Sequence, residues 1–216
     1  MDVLVLDLRQ YRDDQPCNDT PVAPCPDRST PGRTMLGTEQ KRWLVERLKR
    51  SGAAWKVLAS GVEWMGWDSA PIGGPLNTDG WDGYAAERTE VGNALLAAGV
   101  RDVAILTGDV HHFAAGDVTT DGRVSGTPFA TEFVGGAITS GFLFGDANQY
   151  ANFNVATNPH MRYMEFDRKG YGVLDAKPDE LLVRYRSPVT IEERTSDVET
   201  IASFRVARGV ARVEQV

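Results

Sequence analysis

The chain has 216 residues, a hydrophobic fraction of 42%, a charged fraction of 25% and a formal net charge of −7 at pH 7. This length and composition are those of a globular protein that buries a substantial core. The acidic balance gives no reason to expect nucleic acid or an anionic membrane surface as a partner. No apolar stretch approaches the roughly 20 residues of a membrane span, so we expect no membrane-spanning helix in this sequence.

The N-terminal stretch MDVLVLDLRQYR predicts a β-strand from Val3 to Leu6. It is not a signal peptide, because its apolar run is short, contains Asp2 and Asp7, and lacks a basic leader. A strand that begins at the second residue is either the first strand of a domain or a piece of something longer.

Residues 12–35 are dense in Pro, Asp, Asn and Thr, which predicts a loop. This loop holds both cysteines of the chain, Cys17 and Cys25. We favour a disulfide bond between them, which would suit an oxidising compartment, over the alternative of two unpaired thiols. A zinc site is disfavoured because the spacing is not CxxC and no histidine is near.

The middle of the chain alternates helix and strand signals. They predict a helix over 37–52 with Thr38 as its N-cap, a strand around Val57 and Leu58, a loop over 66–80, a helix over 84–99, and a strand over 100–108 that is buried on both faces.

Four later stretches read as antiparallel strands: ATEFVGG, MRYMEF, YGVLDA and ELLVRYR. The predicted fold class is therefore α/β, as one domain over residues 1–216 with a mixed sheet arrangement.

The stretch AILTGDVHHF places Asp109, His111 and His112 directly after a buried strand, in a chain with three histidines. Strand ends are where α/β proteins collect ligand-binding groups. Asp109 and His111 are two residues apart and would point to one side of an extended segment, which makes half of a metal site. Taken alone, the motif equally fits a turn cap followed by polar loop residues.

The stretch NTDGWDGYAAER brings Asp82, Tyr84 and Arg88 to the passage from a loop into a helix. Arg88 has the fork of donors that binds phosphate. The alternative assigns Asp82 as a helix N-cap, Tyr84 to packing and Arg88 to an ion pair, and for each residue alone that alternative is favoured.

Several motifs occur in one order along the chain: LDLRQYR, MLGTEQKRWL, AAWKVLASGVEW, DGWDGYAAER, ILTGDVHHFAA and ATEFVGGAITSG. In this order they resemble the PhoD-type alkaline phosphatases and phosphodiesterases of the metallophosphatase superfamily. The tail from NPHMRYMEF to ELLVRYR is similar to the closing strands of that family, so the resemblance covers nearly all of the chain.

The resemblance implies an α/β/β/α sandwich and a metal-dependent hydrolase of small phosphate esters, with iron and calcium as the metals. It makes Asp109 and His111 metal ligands and places Asp82, Tyr84, Arg88 and His112 among the catalytic positions, with His112 also open to a supporting or merely exposed role. The histidine of NPH, at position 160, is expected to be structural or to line a pocket. The implied location is periplasmic or extracellular.

The family places its other metal ligands and a phosphate-contacting arginine upstream, in motifs that this sequence does not contain. Three hypotheses follow. The chain is a fragment of such a hydrolase, or half of a site that a partner chain or a homo-oligomer completes, or a non-catalytic binding domain derived from the enzyme. Retention of DGWDGY and GDVH favours the first hypothesis over the third.

Overall fold

Two β-sheets pack face to face, and α-helices cover the outer face of one of them. The computed structural model describes residues 1–20, 24–66, 77–141 and 146–216. Most of the predicted loop over 66–80 lies outside the described residues. The predicted class, α/β with a mixed sheet arrangement, is confirmed.

The first sheet has six strands: β1 (Asp2–Val5), β2 (Lys56–Ser60), β3 (Val103–Thr107), β4 (Phe113–Thr119), β5 (Pro128–Gly135) and β6 (Met161–Glu165). Their spatial order is β1-β2-β3-β5-β4-β6. β1, β2, β3 and β5 are parallel, whereas β4 runs antiparallel to both β5 and β6. β3 lies inside the sheet, as its continuous apolar run predicts.

The second sheet is antiparallel, in the order β10-β9-β8-β7, and its strands are β7 (Tyr171–Ala176), β8 (Glu180–Pro188), β9 (Val198–Ala207) and β10 (Glu214–Gln215). Its inner face packs on the first sheet through Tyr185 and Phe204, which are fully buried. The Tyr185 hydroxyl donates a hydrogen bond to the carbonyl of Ala114 in β4. Each large apolar side chain buried here contributes about 1.5–3 kcal/mol to folding.

Three α-helices pack on the other face of the first sheet: α1 (Thr38–Arg50), α2 (Ala85–Ala97) and α3 (Ala147–Thr157). The described residues therefore form three of the four layers that the family resemblance implies. The outer face of the second sheet carries Arg184 and Arg205, both exposed, and no helix of the described ranges packs there.

Both predicted helix caps are wrong. Thr38 is the first residue of α1, and the N-cap is Gly37 with φ of 71°. A side chain at Gly37 would place its Cβ 2.9 Å from the Cβ of Tyr11, so glycine suits both the backbone and the close approach. Asp82 does not cap α2, because a 3₁₀ turn, Trp81–Tyr84, stands between them.

The sequence patterns predict no element at β4, α3, β9 or β10, and they indicate only antiparallel neighbours for β5. The centre of β4 reads AAGD, so it lacks the β-branched and aromatic residues that mark a strand. β5 has a parallel neighbour on one side and an antiparallel one on the other.

The loop between β1 and α1 is closed by a disulfide bond between Cys17 and Cys25, whose Cα atoms are 6.0 Å apart. The favoured alternative for the two cysteines is thus confirmed. The bond lies beside a left-handed run at Cys17, Asn18 and Asp19. Asp19 accepts a hydrogen bond from the Thr78 hydroxyl at 2.9 Å, which ties the loop to the segment before α2.

Candidate functional site

The parallel strands β1, β2, β3 and β5 all end at one edge of the six-stranded sheet. Ligands bind at this carboxyl edge in open α/β sheets. Residues 6–12 leave it after β1, residues 61–66 after β2 and residues 108–112 after β3. The predicted metal ligands lie in the segment after β3.

Asp109 and His111 have left-handed backbone conformations, with φ of 73° and 60°. The segment is therefore not extended, and our reason for placing the two side chains on one side is wrong. Both residues are exposed. A left-handed non-glycine residue costs of order 1–3 kcal/mol, and such strain clusters at functional sites. The turn after β3 thus presents two possible metal donors at the carboxyl edge at a cost in stability.

Asp109 contacts an arginine that comes from the end of β1. Nη2 of Arg9 lies 3.4 Å from Oδ1 of Asp109, while Nη1 of Arg9 binds both carboxylate oxygens of Asp79 at 2.8 and 2.7 Å. Asp79 also accepts hydrogen bonds from Arg12 at 2.8 Å and Gln15 at 3.0 Å. Burial alone would raise the pKa of Asp79, but these donors outweigh it and lower that pKa. The carboxylate is therefore a fixed anchor for two guanidinium groups.

His112 is buried, so the alternative that it is exposed is wrong. Its Nδ1 donates to the carbonyl of Val110 at 3.0 Å, and its Nε2 lies 3.9 Å from Oε1 of Glu63. The ring packs against Phe166 with 4.5 Å between centroids. These contacts fix the backbone immediately after His111.

Glu132 of β5 is a fully buried carboxyl group behind the same edge. It accepts hydrogen bonds from the amides of Trp64 at 2.8 Å and Met65 at 2.6 Å, and from the Thr107 hydroxyl at 2.5 Å. Burial raises the pKa of Glu132 to about 8, and the nearby carboxylate of Glu63 adds to the rise. The protonated group joins the segment after β2 to the last residue of β3.

Asp82 and Arg88 form a buried ion pair with 2.9 Å between Oδ1 and Nη1. Arg88 also donates to the carbonyls of Trp64 at 3.3 Å and Asp121 at 2.8 Å, and Asp82 accepts from Arg123 at 3.1 Å. Burial would raise the pKa of Asp82, but the two arginines outweigh it and lower that pKa. The guanidinium of Arg88 is occupied within the fold, which favours a structural role over phosphate binding.

Tyr84 is fully buried, and its hydroxyl donates to the carbonyl of Asp13 at 2.6 Å. Burial raises the pKa of this phenol, so it stays a donor near neutral pH. Beside it, Trp81 stacks on Trp64 with ring centroids 3.9 Å apart. The catalytic assignment of Asp82, Tyr84 and Arg88 stays a prediction, and the geometry favours packing and support.

His160 is buried, and its Nε2 donates to the carbonyl of Gly66 at 2.6 Å. Burial lowers its pKa, so the ring is neutral near pH 7. The backbone carbonyl of His160 also crowds Gly116 of β4, where an added Cβ would lie 2.6 Å from that oxygen. His160 thus packs the segment after β2 against β4.

The described residues do not by themselves fit a complete metal centre. Across 1–20, 24–66, 77–141 and 146–216, no three His, Cys, Asp or Glu side chains group so as to hold a metal ion. Asp109 and His111 have the right chemistry, since a carboxylate and an imidazole both bind transition metals. Two donors are fewer than a tightly held protein metal requires.

Sequence reasoning misses the groups that surround the predicted ligands. Arg9 and Asp79 are 70 residues apart, so their pairing leaves no local pattern. In the sequence, Glu132 is the single charged residue of a largely apolar strand. The available signal is position: Arg9 closely follows a predicted strand, as Asp109 does, and parallel strands bring such residues to one edge.

This is a layered α/β protein whose candidate site lies where its parallel strands end. The chain belongs to the PhoD-like phosphatase family, whose model matches residues 1–185. It is 37% identical over 202 residues to alkaline phosphatase D of Bacillus subtilis (strain 168). It also matches a solved structure of PhoD with a TM-score of 0.88, at 34% sequence identity over 99% of this chain.

The match covers much more of this chain than of its relatives. It takes in 93% of this chain but 34% of the Bacillus subtilis protein, and 41% of the chain in the PhoD structure. The chain therefore spans about a third of the length of the curated relative. Within the described residues, no helix has both the length and the apolar character to cross a membrane.

We expect Asp82→Ala to lower the free energy of unfolding by about 3–5 kcal/mol, because it leaves Arg88 charged and buried without its carboxylate partner. Urea denaturation measures this. Asp175→Ala, at an exposed position on β7, should stay within about 0.5 kcal/mol of the parent chain. An Asp82→Ala variant of unchanged stability would contradict the structural role.

The raised pKa of Glu132 makes stability depend on pH. The folded chain keeps a proton that the unfolded chain releases above the ordinary value of 4.5, so this contribution is complete below that pH. It is lost as the pH rises towards about 8. We expect Glu132→Gln to flatten the fall in melting temperature across this range relative to Glu193→Gln, an exposed control. Equal slopes in the two variants would show that Glu132 ionises normally.

Proposed function

We propose that this chain carries part of the active site of a metal-dependent hydrolase of phosphate mono- or diesters. The observation that carries the proposal is the strained turn that presents Asp109 and His111 at the carboxyl edge of the sheet. Membership of the PhoD-like phosphatase family supports the reaction class. Metal ions bound at such a site polarise the phosphoryl oxygens and lower the pKa of bound water.

In this proposal, the residues of this chain hold and orient the metal but do not supply its complete set of ligands. Asp109 offers a carboxylate, and His111 offers an imidazole nitrogen. His112, anchored by its Nδ1 hydrogen bond to Val110, fixes the turn beside them. Iron and calcium are the metals of the proposal because the family resemblance implies them, and a carboxylate and an imidazole are compatible with them as donors. The remaining ligands come from other residues than these two.

The proposed location is the periplasm or the outside of the cell. The disulfide bond between Cys17 and Cys25 supports it, since such bonds persist in oxidising compartments and are rare in the cytosol.

We expect Asp109→Asn and His111→Ala to reduce metal content and phosphatase turnover by at least about tenfold. Loss of a residue that only hydrogen-bonds to a metal ligand already costs about that much, and loss of a ligand should cost no less. Turnover of a phosphomonoester and a diester is measured with metal content on the same sample. Asp102→Asn is the matched control, because Asp102 also has a left-handed φ, of 59°, but lies at the opposite end of β3. A folded parent chain without metal or turnover would show that the isolated chain lacks a working site.

A second candidate function is half of a site that another polypeptide completes. The edge strand β1 favours it, because β1 pairs only with β2 among the described strands and leaves Val3 54% and Val5 74% exposed. Val57, the partner of Val3 on β2, is 1% exposed beneath the second sheet. An unpaired apolar edge of this kind is a template for further strands. The proposed occupant is a polypeptide with the remainder of the fold, which the relatives carry in one longer chain.

We expect the isolated chain to self-associate through β1, and Val5→Lys to make it monomeric, because a lysine on an edge strand opposes strand pairing. Sedimentation velocity measures the oligomeric state. Val189→Lys, at an exposed valine in the loop after β8, should leave association unchanged. A stable monomer of the parent chain would count against a missing half.

A further inference from the structure

The arginine at the end of β1 is held with one nitrogen committed and the other poorly satisfied. Nη1 of Arg9 binds both oxygens of Asp79, whereas Nη2 makes a long 3.4 Å contact with Asp109. The Arg9 side chain is 48% exposed. A guanidinium held through one nitrogen keeps the other nitrogen available to a ligand at the carboxyl end of the sheet.

The backbone that carries this guanidinium is held by hydrogen bonds of its own. Oδ1 of Asp7 accepts the amide of Arg9 and the amide of Gln10, each at 3.0 Å, which turns the chain directly after β1. These two hydrogen bonds lower the pKa of Asp7. The side-chain amide of Gln40 on α1 donates to the Asp7 carbonyl at 2.7 Å, so the turn is also tied to a helix.

The charges around Arg9 balance only while Asp109 keeps its negative charge. Asp79 is one carboxylate shared by two guanidinium groups, those of Arg9 and Arg12. The remaining negative neighbour of Arg9 is Asp109, the proposed metal ligand. When a cation takes up the charge of Asp109, Nη2 of Arg9 has no anion left within the described chain. An oxyanion beside the cation would supply one.

We propose that Arg9 binds a phosphoryl oxygen of the substrate at this edge, an inference that rests on the proposed function. The ligand class follows from chemistry, because a guanidinium matches the geometry of phosphate oxygens and stays charged at every working pH. Asp79 is then the positioning residue, which holds Nη1 so that Nη2 faces the turn after β3. This role differs from that of Arg88, whose guanidinium is fully buried.

The test uses inorganic phosphate as the probe and the whole chain freed of metal, with affinity measured by isothermal titration calorimetry. We expect Arg9→Gln to raise the dissociation constant for phosphate by about tenfold or more, as loss of a hydrogen bond to a charged group does. The dissociation constant of Arg9→Lys should lie between those of the parent and Arg9→Gln, because lysine keeps the charge but lacks the paired donors of a guanidinium. Arg205→Gln is the matched control, since Arg205 is 44% exposed and also pairs with a carboxylate, on the second sheet.

A second variant separates this inference from phosphate binding that depends on metal. On the metal-free chain, Asp109→Asn removes the competing carboxylate from Nη2 of Arg9, so phosphate should bind at least as tightly as it does to the parent. Equal phosphate affinity of Arg9→Gln and the parent, or no phosphate binding by either the parent or Asp109→Asn, would overturn the inference. Phosphate binding that depends on Arg9 without turnover would contradict the hydrolase activity of the isolated chain and leave the role of Arg9 intact.

Discussion

One buried carboxyl group, that of Glu132, fixes the edge on which the candidate site is built. It lies on β5 but accepts hydrogen bonds from the backbone after β2 and from Thr107 at the end of β3. The segment after β2 and the end of β3 are thereby held against the middle of β5 inside the fold. Burying an unpaired carboxylate would be far too costly, and protonation together with three donors makes the group tolerable there. The positions of Trp64, Met65 and the turn after β3 all depend on it.

A second buried polar group supports the same edge from the helix side. Asp82 and Arg88 pair without solvent contact, and Arg88 holds the carbonyls of Trp64 and Asp121. A buried ion pair adds little net stability, but each partner becomes costly once the other is removed. The pair therefore acts as a constraint on geometry. The buried residues of the DGWDGY motif therefore support the candidate site, whereas Arg9 and Asp109 are exposed to solvent.

Sequence patterns predict the elements whose residues carry their own signal. β3 is a continuous apolar run and α1 has helical spacing, and both are confirmed close to their predicted bounds. β4 is missed because its alanines and glycine become a strand only between β5 and β6, where seven consecutive residues are buried. The GDVHH motif after β3 is also visible in the sequence, because its residues are adjacent along the chain. The contact between Arg9 and Asp79 leaves no such signal, because the two residues are 70 apart in the sequence and meet only in the folded chain.

The strained turn at Asp109 and His111 is clamped on both sides by residues of this chain. Thr107 is fixed to Glu132 before it, and His112 is buried against Phe166 after it. Left-handed backbone at two exposed side chains persists only where the surroundings determine it in this way. The turn is thus ordered by contacts within this chain, so a ligand that bound Asp109 and His111 would meet a preorganised turn rather than a flexible loop.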